Sequence, residues 1–332
     1  MLLSPVLLVS QVVCAADAPF KDVPAGTALA EAVEFLKANN IISGYSDGTF
    51  RPNNGVNRAE ALKIIIAPLV KQESLAQIKQ TTFSDVKSDA WYLPYVEAAR
   101  QNGVVDGPPK KDAFRGTDPV LKVEFLKMLM LAFKEDPNSY SEIVLPVSSD
   151  VKDTSVWFYP YMRYALSSSM TMISTDGLLT PQKKLTRGET SLLLYRFLMY
   201  RSGRRTQALL SEAETEIIIV LGSMQDQNIE QAEYASARAL LAARGAHAKQ
   251  PDQPIVQGAL KISESFRSIV RAYRAGSSKL FDDAIALCKE SWQQAERARE
   301  LSSGLENLAT QVQTLAGKMA ESARQAKAAT AS

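Results

Sequence analysis

The sequence predicts a mainly α-helical chain in two parts, and three observations carry that prediction. A helix, turn and helix grammar recurs three times before residue 200, with Asp22, Asp85 and Asp150 standing 63 and 65 positions apart. From each of these aspartates to Glu60, Glu124 and Glu189 the distance is 38, 39 and 39 residues, a regularity that marks internal repeats. From Arg201 onward alanine, glutamine and glutamate rise, and apolar residues fall at helical spacing.

The first residues read as an export signal over 1–16. Leu2 to Ala16 is an apolar run of signal-peptide length, too short to span a bilayer. No Lys or Arg precedes it, Cys14-Ala15-Ala16 offers a cleavage end, and simple cleavage is favoured over lipidation at Cys14 because Val13 is bulky.

The first repeat, over 20–70, opens on Phe20-Lys21-Asp22-Val23 and continues into an amphipathic helix carrying Leu29, Ala32, Val33 and Leu36. Gly44 to Glu60, GYSDGTFRPNNGVNRAE, then supplies a turn at Asp47-Gly48, an apolar anchor at Phe50 and a helix stop at Pro52 to Gly55. Asn57 and Glu60 make a reciprocal cap for the helix that follows. Arg58 sits in its first turn, where a basic residue opposes the helix dipole and so asks for an anion.

The second repeat, over 83–135, has Phe83-Ser84-Asp85-Val86 and a helix led by Trp91 with Tyr95, Ala98 and Ala99. Lys122 takes the place of the arginine. Leu121 cannot cap, so Asp118-Pro119 is expected to start this helix a turn earlier. The third, over 148–200, has Ser149-Asp150-Val151, a helix with Trp157, Tyr161, Tyr164 and Ala165, and a full capping box at Thr186-Arg187-Gly188-Glu189.

F-x-D-V, an aromatic-led helix, G-Y-x-D-G-T-F-R-P-N and T-R-A-E are the marks that these residues share with the S-layer homology (SLH) family, which residues 20 to 200 resemble as three tandem modules. Leu29, Lys122-Val123 and the third loop, SSSMTMISTDGLLTPQ, depart from the pattern. The resemblance implies a pseudo-threefold, mostly helical body whose grooves hold a secondary cell-wall polysaccharide, often bearing acidic pyruvate ketals. Its glycan-binding residues would be Arg58, Lys122, Arg187, Trp91, Trp157, Asp22, Asp85, Asp150 and Gly44, with Arg58 and Trp91 the favoured pair across one groove.

Residues 204–332 are expected to form a long antiparallel three-helix, coiled-coil domain. One helix would run from Thr206 to about His247, with Gly245 to Pro254 breaking it. A middle helix carries Ile255, Ala259, Ile262, Phe266, Ile269 and Tyr273, and a last one runs from Lys279 to about Lys327 with an apolar stripe from Leu301 to Met319. The outer helices outrun the middle one, so their stripe is expected to pack on itself or on another chain, a second copy or an envelope protein.

A net charge of +2 gives no basic excess for nucleic acid. No run is long enough to leave a membrane span after signal cleavage. His247, the single histidine, reads as a solvated loop residue and Cys288 as a buried thiol, so no metal, cofactor or catalytic set is expected. The function that follows is a non-catalytic anchor in a bacterial cell wall, S-layer or envelope, its helices a spacer or assembly element. The alternatives are a wall-tethered enzyme and an outer-membrane-to-wall tether.

Overall fold

In each repeat one carboxylate fixes the loop that follows. The computed structural model describes residues 20–107 and 110–331; the expected signal peptide, its cleavage and Cys14 lie outside them. Asp22 accepts the backbone N–H groups of Phe50 and Arg51, both at 2.7 Å. Asp85 does the same for Phe114 and Arg115, again at 2.7 Å, and Asp150 for Leu179 and Thr180 at 3.1 and 2.7 Å. The second residue of each pair has positive φ, 58° at Arg51, 61° at Arg115 and 48° at Thr180. A left-handed residue without glycine is strained, and the two charge-assisted bonds hold it there.

The repeats contribute α1 (Ala28–Ala38), α2 (Arg58–Ile66), α3 (Gln72–Gln77), α4 (Leu93–Gln101), α5 (Lys122–Ala132), α6 (Tyr159–Ser167) and α7 (Arg187–Arg201). Capping boxes open α2 and α7 as expected. The second repeat differs from its expectation: α5 starts at Lys122, in register with the others, with no side-chain cap. Glu124 still accepts from the Leu121 N–H at 3.1 Å, so half a box survives. Asp118 is used elsewhere, its carbonyl accepting the Arg58 N–H at 2.9 Å. Trp91 and Trp157 stand before α4 and α6 rather than within them.

The residue before each cap position joins the three repeats into a closed cycle. Val56 N–H donates to Leu185, Leu185 to Val120 and Val120 to Val56, each at 3.0 Å, and all three side chains are buried. The first two N–H groups of each second helix then donate to the loop of the next repeat: Arg58 and Ala59 to Asp118 and Gly116, Lys122 and Val123 to Lys183 and Pro181, Arg187 and Gly188 to Asn54 and Pro52. No sheet forms among the described residues; only isolated bridges accompany these bonds.

Beyond residue 204 five helices replace the expected three: α8 (Thr206–Gln225), α9 (Ile229–Lys249), α10 (Pro254–Ser277), α11 (Phe281–Leu301) and α12 (Glu306–Ala331). The first expected helix is broken at Asp226-Gln227-Asn228, where Gln227 has φ 57° and the Asn228 side chain caps α9 through the Gln231 N–H. The last is broken at Ser302 and a short 3₁₀ turn, Ser303–Leu305. Gly245 and His247 consequently lie inside α9, not in a loop. The 301–319 stripe is covered within the chain: Leu305 and Val312 are buried, and Leu308, Leu315 and Met319 pack against the same core as Ile262, Phe266 and Ile269.

The two parts of the chain share a core. Leu209, Ala213, Leu241, Ala243, Ala246 and Val256 cluster with the apolar residues of the repeats. A side chain at Gly245 would overlap the Ser167 carbonyl, so the absence of a Cβ permits α9 and α6 to touch backbone to backbone. Arg238 reaches across as well, donating to the Val147 carbonyl at 2.6 Å while both its remaining bonds go to Glu216 at 2.7 Å.

Candidate functional site

The first-turn basic residues do not face open helix ends. Because the first two N–H groups of α2, α5 and α7 are taken by the neighbouring loop, and the third is taken by the caps of α2 and α7, the helix termini offer no free cradle for an anion. What remains is the side chains. Arg58 donates Nε to the Phe114 carbonyl at 3.2 Å, pairs with Glu124 at 3.3 Å and lies over the Phe114 ring. Arg187 repeats this one module on, donating to the Phe50 and Ser43 carbonyls at 2.9 and 3.2 Å over the Tyr45 and Phe50 rings.

Lys122 occupies the third equivalent place and is engaged differently. Its Nζ donates to the Leu179 carbonyl at 2.6 Å and sits beside the Thr171 and Thr180 hydroxyls. Burial pushes its pKa down, and the nearby Lys183 adds to that against Glu189 and Asp150. This cation holds a loop.

The aspartates and Gly44 likewise engage groups of the chain itself. Burial raises the Asp22 pKa, but the N–H groups of Phe50 and Arg51 together lower it further, so the net displacement is downward. Gly44 passes under the Phe20 ring, which a Cβ would overlap. Asp47 makes the expected turn, accepting from the Thr49 N–H and hydroxyl, with Gly48 at φ 81°.

Trp91 and Trp157 are half exposed, at 52% and 53%. Each carries a lysine ammonium 5.6 Å from its ring centroid: Lys63 of α2 over Trp91, Lys127 of α5 over Trp157. These lysines stand five residues after Arg58 and Lys122; the third repeat has Leu192 there. The repeat register was the signal that could have found them. A groove of about 510 Å³ gathers Arg58, Phe114, Glu124, Lys127, Trp157 and Tyr161, one side chain set from each of the three repeats. Arg58 thus shares its groove with Trp157, not with the expected Trp91. In the equivalent place one step round the cycle, Arg187 corresponds to Arg58 and the Lys63–Trp91 pair to Lys127–Trp157; the last place, with Lys122, Leu192 and Leu29, has neither arginine nor indole.

Residues 19–62 and 82–126 match the S-layer homology domain. The SLH match covers the first two repeats, including Asp22, Asp85, Arg58 and Trp91. The amylopullulanase of Thermoanaerobacterium thermosulfurigenes is 29% identical over 182 residues, 54% of this chain and 9% of that protein. S-layer protein EA1 of Bacillus anthracis is 27% identical over 179 residues, 54% and 20%. The surface-layer 125 kDa protein of Lysinibacillus sphaericus is 28% identical over 170 residues, 50% and 14%. The chain therefore spans a fifth or less of the length of these relatives.

The SLH module is a structural, non-catalytic one. Among the described residues no group of three or more His, Cys, Asp or Glu side chains is placed to hold a metal ion, and no helix is long and apolar enough to cross a membrane. Cys288 is buried in the bundle, and burial pushes its thiol pKa up, against the opposing influence of Arg324.

Proposed function

We propose that the protein is a non-catalytic envelope anchor whose three repeats form a pseudo-threefold SLH body binding an acidic wall polysaccharide, with the helices beyond residue 204 serving as a spacer or assembly element. The observation that carries this reading is the groove holding Arg58, Lys127 and Trp157 together. A half-exposed indole is a platform on which the apolar face of a sugar ring can stack. The lysine and the guanidinium beside it supply positive charge where an acidic substituent on that sugar would lie. Glu124 pairs with Arg58 in the free protein and is the carboxylate that a ligand's carboxylate replaces. The surface-layer relatives support the envelope setting.

The test is binding of the full chain to isolated wall polysaccharide, before and after chemical removal of its acidic substituents. Binding to the intact polymer that falls at least tenfold on the stripped one is the expected result, since a charge-assisted bond contributes roughly 1.5–3 kcal/mol. Equal binding to both would remove the acidic group from the account.

A further inference from the structure

A second charged groove lies in the helical part, remote from the repeats in sequence and built from different chemistry. Arg267, Arg271 and Arg274 recur four and three residues apart, on one face of α10, and line a groove of about 640 Å³ between α9, α10 and α11. Their situations differ. Arg274 is held by Glu233 of α9 at 2.5 Å. Arg271 is exposed and makes no ion pair among the described residues. Arg267 is largely covered, donates to the Ser236 hydroxyl at 3.1 Å, and likewise pairs with no carboxylate among the described residues.

A solvated helix face would account for Arg271 but not for Arg267. A guanidinium withdrawn from water without a counter-ion is costly, and burial does displace the Arg267 pKa downward, with Arg271 and Arg274 adding to the effect and Glu233 opposing it. Glu290 of the α11 wall is occupied by the Ser268 hydroxyl and the Gln294 amide, and Glu233 by Arg274. Arg267 and Arg271 therefore line the groove with no carboxylate partner among the described residues.

We infer that this groove binds a phosphoryl group between Arg267 and Arg271. A phosphoryl group carries more negative charge than a carboxylate and spreads it over three oxygens, so it can accept from both guanidinium forks at once. Asp283 and Glu290 on the facing wall restrict the site to a single phosphoryl group and disfavour a long polyanion. The source is either a soluble phosphoryl compound or a phospholipid headgroup. The inference stands independently of glycan binding by the repeats.

The experiment uses the full chain and inorganic phosphate, read as a shift in melting temperature against chloride at matched ionic strength, followed by capture on vesicles of phosphatidylglycerol or of phosphatidylcholine. Phosphate stabilises the parent; Arg271→Ala, an exposed position, weakens that binding roughly tenfold; Glu233→Gln, which frees Arg274, strengthens it. Capture by phosphatidylglycerol vesicles that Arg271→Ala abolishes assigns the headgroup, and phosphate binding without vesicle capture assigns a soluble compound. Phosphate acting no better than chloride, or an Arg271→Ala variant that binds it like the parent, would overturn the site.

Discussion

Asp22 shows how a side chain's place can be read from spacing while its bonds cannot. Its recurrence at Asp85 and Asp150 was plain from spacing, but the sequence does not say that its oxygens face the backbone of a loop 28 residues on. Removing it leaves two N–H groups without their acceptor at a strained position, and because the site is exposed the cost is at the low end, about 1 kcal/mol. The sign of its pH dependence follows from the lowered folded pKa. Its contribution is present above the ordinary value of 3.8 and is lost as pH falls through the lower folded value. Thermal melts of the parent and Asp22→Ala should therefore differ at about pH 6 and draw together only as pH falls below 3.8. A gap that stays constant down to pH 2 would contradict the loop-clamp role. Arg58 was legible from its capping box, whereas Lys127 was not singled out, because a lysine in mid-helix is ordinary until its neighbour from the next repeat is known.

At the scale of elements the apolar periodicity marked 204–332 as helical but counted three helices where five form. The turn at 226–228 has neither Gly nor Pro, and Asn228 works as a cap only because Gln227 takes a left-handed conformation. Along the chain Gly245 reads as a breaker, because isolated glycine weakens a helix. It is instead the residue that lets α9 meet Ser167, a tertiary demand invisible along one chain segment. Gly245→Ala, a change that raises intrinsic helix propensity, should accordingly destabilise the protein by about 3 kcal/mol through overpacking against backbone. Calorimetry of that variant is the check, and a melting temperature at or above the parent's would show that α9 and α6 can separate without loss.

The whole molecule is a cycle of three repeats with a helical bundle rooted in the same core. The cycle explains why spacing along the chain does not show which basic residue meets which indole. Each second helix donates its first N–H groups to the next repeat's loop, so the arginine of one repeat is carried past the next and arrives beside the indole of the one after. Counting along the chain suggests Arg58 with Trp91; closing the ring brings Arg58 to Trp157. The repeat register makes the three places unequal: two combine an arginine position with a lysine and an indole, and the third has a half-buried, loop-holding Lys122. The most direct test is the affinity of full-length Arg58→Ala, Trp157→Ala and Lys122→Ala variants for isolated acidic wall polysaccharide. Arg58→Ala and Trp157→Ala should each weaken binding roughly ten- to a hundredfold with helical content unchanged, while Lys122→Ala should lower stability and bind like the parent where it is folded. Parent-like affinity in both the Arg58 and Trp157 variants would contradict the groove as the glycan site.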